Sequence, residues 1–246
     1  RARIWDNVDK LIKKFDNGDP IALKGITYSY GDNLFIKIKN INRASIDKYK
    51  KYGFEPSDLI PTSKLNVKQL WIQLQKEIKT ISKPHFKKLV TKILTDHKQK
   101  FQIYPASISF HYNYQHGLLE QTVSLIKIAK LLARNYAVNS DLLLTGACLH
   151  QIGKLYSINV GFSDKKNDSK QLVGNAILSR DIVNKYINQI KKFPEDDKVQ
   201  LEHLILSYQG RREWQSPIEP QTIEAILLHT INYMDSQVNF MSRDEK

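Results

Sequence analysis

The hydrophobic pattern changes period once along the chain, and that change limits the fold more than any other feature. Up to about residue 43 apolar side chains recur every second residue; from about Asn66 onward they recur every third or fourth. A period of two fits a strand with one buried face, and a period near 3.6 fits a helix with a buried stripe. Residues 1–5 alternate as a half-buried strand does. Ile21, Leu23, Gly25 and Thr27 fall on one face of a second strand, with Lys24, Ile26, Tyr28 and Tyr30 on the other. Gly31-Asp32-Asn33 supplies a turn into a returning strand that sets Leu34, Ile36 and Ile38 against Phe35, Lys37 and Lys39. Three short strands do not make a stable barrel, so residues 1–50 are expected to be a partial β module with strands missing before Arg1. Residues 51–65, with Gly53, Pro56 and Pro61, read as a connector.

The remainder, 66–246, is predicted to be all helical. Leu70, Ile72, Leu74 and Ile78 mark a first helix, and Phe86, Leu89, Val90, Ile93 and Leu94 a second, very basic one. A long helix over roughly 113–136 carries Leu118, Leu125, Ala129 and Leu132. Residues 141–150 are apolar almost all round, which predicts a central helix, capped by Ser140 or Asp141 and stopping near Gly153. Further helices are expected at 170–191, 196–208 and 221–239. The fold class is therefore mostly α, with a small β module in front.

Charge divides along nearly the same line. Residues 1–100 carry 22 Lys+Arg against 10 Asp+Glu, and residues 101–246 carry 16 against 15. A basic module joined to a nearly neutral one is the expected footprint of a polyanion, although lysine-rich solvated helices produce the same tally. A single cysteine, Cys148, excludes an internal disulfide framework and any cysteine-rich zinc module, and suits a reducing compartment. No apolar run reaches membrane-span length and no signal peptide opens the chain, so no membrane partner is expected and a cytoplasmic location is. The chain opens on Arg1, and both ends are expected to be cut short.

The buried helix ends in Leu149-His150-Gln151-Ile152-Gly153-Lys154. That run resembles the His-Asp-x-Gly-Lys signature of HD-domain metal-dependent phosphohydrolases, with Gln151 in place of the Asp. Tyr104-Pro105-Ala106, His111, Gly117-Leu118, Asp141-Leu142-Leu143, the run from His203 to Ser207 and that from Glu213 to Pro217 are similar to segments of the YhaM-type 3′→5′ exoribonucleases. The resemblance covers essentially the whole chain. It implies an OB-fold-like module followed by an HD domain, and a site in which His and Asp side chains hold one or two divalent metals that activate a water.

Carried over position by position, the resemblance also implies that the ligands are gone. Gln121 stands where the family has His, Gln151 where it has Asp, and Asn175 where it has the His of Gly-His. Tyr208 and Gln209 replace a His-His pair, Asn232 replaces a late Asp, and of the ligands only His150 persists. Asp235 survives nearby. Amides and a phenol fill the space with neutral hydrogen bonds but supply no charge to offset a dication's desolvation. The resemblance with these losses implies a relic site without metal or other cofactor, in which Lys154 alone remains a possible phosphate contact. His111, His203 and His229 are expected to be structural, and Cys148 a buried hydrophobe.

Binding needs cations and stacking faces rather than a metal. Lys24, Tyr28, Tyr30, Phe35, Lys37 and Lys39 on the β module, and Arg211, Arg212 and Trp214 beside the relic pocket, are the candidate nucleic-acid contacts; Tyr28 and Phe35 could equally be cross-strand packing partners. The expected partner is single-stranded nucleic acid, RNA above DNA, bound by a catalytically inactive relative acting alone, as a homo-oligomer or within a larger complex. One alternative is an active exoribonuclease with a rearranged manganese site recruiting Asp235, Glu120, Glu202 or Glu224 with His150. Another is a scaffold whose basic face meets an acidic protein or ribosomal RNA.

Overall fold

The computed structural model describes residues 2–15, 19–31, 33–54, 59, 61–158 and 172–244. Arg1, Asp32, Pro56 and the expected helix start at residues 170–171 lie outside the described residues. Two compact units result, one within Arg1–Ile60 and one running from Pro61 through the last helix.

The first unit is a three-stranded sheet of order β1-β3-β2. β1 is only Ala2–Arg3 and runs parallel to β3, shorter than the alternation over residues 1–5 suggests. β2 (Ile21–Tyr30) and β3 (Asn33–Arg43) form the expected hairpin, with Tyr28 opposite Phe35 and Ile26 opposite Lys37. The register shifts between Lys24, opposite Asn40, and Gly25, opposite Ile38, so Lys39 is the extra residue of a bulge. Lys39 therefore leaves the face that simple alternation assigned to it. The same bulge puts Ile41 on the face of Ile38, and both pack with Leu11 of α1 (Val8–Leu11) in a small core of their own. Gly25 is required there: a Cβ would lie 2.5 Å from the Lys37 carbonyl oxygen. A short helix α2 (Ile46–Tyr49) follows.

The second unit is helical. α3 (Val67–Lys79) starts at Asn66, whose side chain accepts from the Lys68 and Gln69 N–H groups. Its buried stripe is Leu70, Leu74 and Ile78; Ile72, two residues out of phase, is exposed. α4 (Pro84–Asp96) buries Phe86, Leu89, Val90, Ile93 and Leu94 as their spacing predicts. α5 (Lys98–Ile103) leads into a loop, and α6 (Gly117–Asn135) begins four residues later than expected. The delay has a steric cause. His116 sits at φ 69°, and a Cβ on Gly117 would lie 2.2 Å from the Tyr112 carbonyl oxygen, so the loop is folded tightly against the helix start.

α7 (Ser140–Leu149) is buried along eight of its ten residues and packs against α4, α6 and two later helices, as an all-round apolar helix must. Its cap is Asn139, not Ser140 or Asp141: the Asn139 side chain accepts from Leu142 N–H at 3.1 Å. Asp141 does different work. Its carboxylate accepts from the Ser82 and Lys83 N–H groups at 3.0 and 2.7 Å and so holds the entry to α4. Asp141→Ala is expected to lower stability by about 1–2 kcal/mol, comparable to losing a helix cap, seen as a lower urea midpoint at unchanged slope.

Beyond α7 lie α8 (Lys154–Ser157), α9 (Asn175–Ile187), α10 (Glu195–Ser207) and α11 (Ile223–Asp244). Among the described residues no helix is long and apolar enough to cross a membrane. Cys148 is buried in α7, and burial pushes its thiol up to about 12, leaving it unreactive.

Candidate functional site

The end of α7 delivers His150 and Gln151 into a turn that reaches α8 through Gly153. A Cβ on Gly153 would meet the Asn175 carbonyl oxygen at 2.6 Å and the Ser179 nitrogen at 2.7 Å, while the Gly153 N–H donates to Ser179 Oγ at 2.9 Å. The glycine of the signature is thus a packing requirement that seats the turn on the first turns of α9.

His150 is 1% exposed. Its Nδ1 lies 3.0 Å from the Gly146 carbonyl oxygen, which places the ring proton there, and the Tyr208 ring meets it edge-on at 4.9 Å. Nε2, the atom left to ligate, makes no hydrogen bond of good geometry among the described residues, although the Asn232 amide lies close enough to favour the protonated ring slightly. Burial, and then the Lys154 charge, hold His150 down at about 4.

Gln121, Gln151 and Asn232 come together from α6, the α7–α8 turn and α11. Asn232 Oδ1 accepts from Gln151 Nε2 at 3.0 Å and from Gln121 Nε2 at 3.3 Å, and Gln121 Nε2 also reaches Ser236 Oγ at 3.2 Å. Both lone pairs of the Asn232 oxygen are used, in a network without formal charge. Asn175, at the start of α9, bonds Ser157 of α8 instead. Gln151, Lys154, Asn175, Tyr208, Gln209 and Asn232 share one cavity of about 450 Å³. Its remaining walls are the Ala106–His111 segment and a rim containing Trp214, His229 and Tyr233.

Lys154 is almost wholly buried and donates to the Ala106 carbonyl. Burial alone brings its ammonium down to about 7. His111 is held at about 3, first by burial and then by the Lys154 and His150 charges. His229 Nδ1 faces the Tyr208 carbonyl oxygen at 3.2 Å, and His203 Nε2 accepts from Gln221 N–H, both structural contacts.

The residues present do not fit a divalent metal. Among the described residues no three His, Cys, Asp or Glu side chains stand close enough together to hold one. The acids that could be recruited are engaged elsewhere. Glu120 accepts from Ser63 Oγ, Glu202 from the Asn184 amide and Glu224 from Asn139 N–H. Asp235 accepts from Ser124 Oγ at 2.5 Å, and burial raises its pKa. Its side chain therefore belongs to the packing of α6 against α11.

Other candidate contacts divide by exposure. Arg211 lies over the Trp214 ring at 5.2 Å, and Trp214 stacks on Tyr233 at 5.2 Å, so both the arginine and the indole already have partners at the rim; Arg212 opens the short turn that carries Trp214. On the sheet, Phe35 is buried between Tyr28, stacked at 5.6 Å, and the Arg3 guanidinium at 5.2 Å. The cross-strand reading of Tyr28 and Phe35 is the one their stacking supports. Lys37 pairs with Asp6 at 3.1 Å, while Lys24 and Tyr30 are exposed, Tyr30 by 79%. Sequence reasoning missed Ser236 and the wall from Ala106 to Phe110. Ser236 was findable, since it lies four residues beyond Asn232 and hence on the same helix face.

A family model for the HD domain matches residues 118–236. The 3′-5′ exoribonuclease YhaM of Listeria welshimeri is 26% identical over 244 residues, covering 98% of this chain and 76% of that protein. Its counterpart in Listeria monocytogenes serotype 4b is 27% identical over the same shares, as is that of Listeria innocua. No solved structure matches the chain.

Proposed function

The chain belongs to the YhaM-type family of HD-domain proteins, and on that premise we propose that it is a metal-free, catalytically inactive relative of 3′→5′ exoribonucleases that binds single-stranded RNA, alone or as a subunit of a nucleic-acid-handling complex. One observation carries this reading: Gln121, Gln151 and Asn232, at three of the family's ligand positions, are hydrogen-bonded to one another. A dication would need those oxygens turned inward and accompanied by negative charge. Instead the Gln121 and Gln151 amides both donate to the neutral Asn232 oxygen, and replacing such a network by a bare ion would leave it uncompensated.

Binding draws on other resources. Lys24 and Tyr30 on a sheet that we take as part of an OB-fold-like surface, the lysines of α3 and α4, and the Arg211–Trp214 rim supply cations and rings. The lone buried Cys148 fits a reducing, cytoplasmic setting.

Two measurements test the proposal. End-labelled RNA incubated with the protein and manganese is expected to keep its full length; shortening that disappears in His150→Ala would establish an enzyme instead. Filter binding of a single-stranded oligoribonucleotide is expected to weaken steeply with salt, the logarithm of affinity falling by about 0.7 per decade of salt for each phosphate contacted. Absence of binding at low salt would remove the RNA half of the proposal.

A further inference from the structure

Resting on that reading and deepening it, we infer that the old metal pocket has inverted its charge preference and now takes a terminal phosphate monoester of an RNA strand, with Lys154 as the counter-charge. Lys154 is 6% exposed, and its ammonium has three N–H donors but one partner among the described residues, the Ala106 carbonyl. Among the described residues no carboxylate forms an ion pair with it. A buried ammonium without an anionic neighbour is an unfavourable arrangement that a bound anion corrects.

The surroundings point the same way. Both ring nitrogens of His111, on the facing wall, are buried without a hydrogen-bond partner among the described residues. A neutral imidazole carries one N–H, so this ring can donate to an oxyanion. The amides of Asn175 and Gln209 line the same space and offer further donors. A pocket for a cation needs acceptors with negative charge; this one presents an ammonium, an imidazole and amides, which suits a doubly charged tetrahedral oxyanion.

Charge selects an end rather than an internal phosphate, because a terminal monoester approaches a double negative charge at pH 7 and a bridging diester carries a single one. The 106–111 segment, the start of α9, the Tyr208–Trp214 stretch and α11 wall the cavity. The volume of about 450 Å³ admits a phosphate with its attached sugar.

The experiment compares one ten-nucleotide RNA sequence with a 5′-phosphate, a 3′-phosphate or hydroxyls at both ends, by fluorescence anisotropy. One phosphorylated end is expected to bind about tenfold or more tightly than the hydroxyl form, the gain of a buried charge-assisted contact. Lys154→Met is expected to abolish that preference. Gln209→Ala, a milder change at the same wall, is expected to reduce it. Equal affinity for all three ends in the wild-type protein overturns the inference, yet salt-sensitive binding of all three leaves the RNA-binding reading intact. If no oligonucleotide binds, that reading falls, and inorganic phosphate then decides the pocket alone. A thermal midpoint raised by phosphate in the wild type and not in Lys154→Met supports an anion site, and an unmoved midpoint overturns it.

Discussion

Gln121→Glu is expected to destabilise the protein by ~3–5 kcal/mol at pH 7.5, the cost of an uncompensated charge in the interior. Gln121 is 0% exposed and donates to Asn232 and Ser236. The substitution removes that donor and brings a carboxylate against the Asn232 oxygen. Burial raises the folded-state pKa of such a carboxyl above its unfolded value near 4.3. The folded state then binds more protons than the unfolded state, so stability falls as pH rises through that window. At pH 4 the group is largely neutral in both states and most of the loss is expected to be recovered. Urea denaturation of variant and wild type at pH 4 and pH 7.5 measures the difference. Adding manganese sharpens the test: an ion that restored the variant's stability at pH 7.5 would show that the pocket still accommodates a dication once a carboxylate is returned.

Gly153→Ala should be nearly as damaging for a different reason. The added methyl would meet main-chain atoms of Asn175 and Ser179 at 2.6 and 2.7 Å and the Leu178 Cβ at 2.9 Å. None of these is the far end of a flexible side chain. The turn and the start of α9 must therefore separate, at about 3 kcal/mol, the upper part of the usual range for overpacking. For a chain of this size that is a fall in thermal midpoint of roughly 6–12 °C. The shift would also carry Asn175 away from Ser157. A midpoint within a degree of wild type would mean that this glycine is not a packing requirement.

The two expected outcomes rest on different needs of one pocket. Gly153 and the core of α7 are needed for packing whether or not an ion is bound. Gln121 and Gln151 both find a neutral acceptor in the Asn232 side chain. A fold can retain the pocket and lose the ion because dispersion and burial hold the helices, while the ion depends on a handful of charges.

Periodicity and composition alone determined the division into a small β module and a helical body, the buried stripes of α3 and α4, and the centrality of α7. Those features follow from which faces of an element are apolar, a property local to the chain. Tertiary structure alone decided that Asp141 serves α4 rather than capping its own helix, that Lys39 is displaced by a bulge, that Phe35 is covered rather than free to stack, and that Lys154 is buried with no carboxylate partner among the described residues. Each of these depends on what a second, distant segment places opposite the residue. A hydrogen bond or a counter-charge is a relation between two segments, and no one-dimensional pattern within either segment records it.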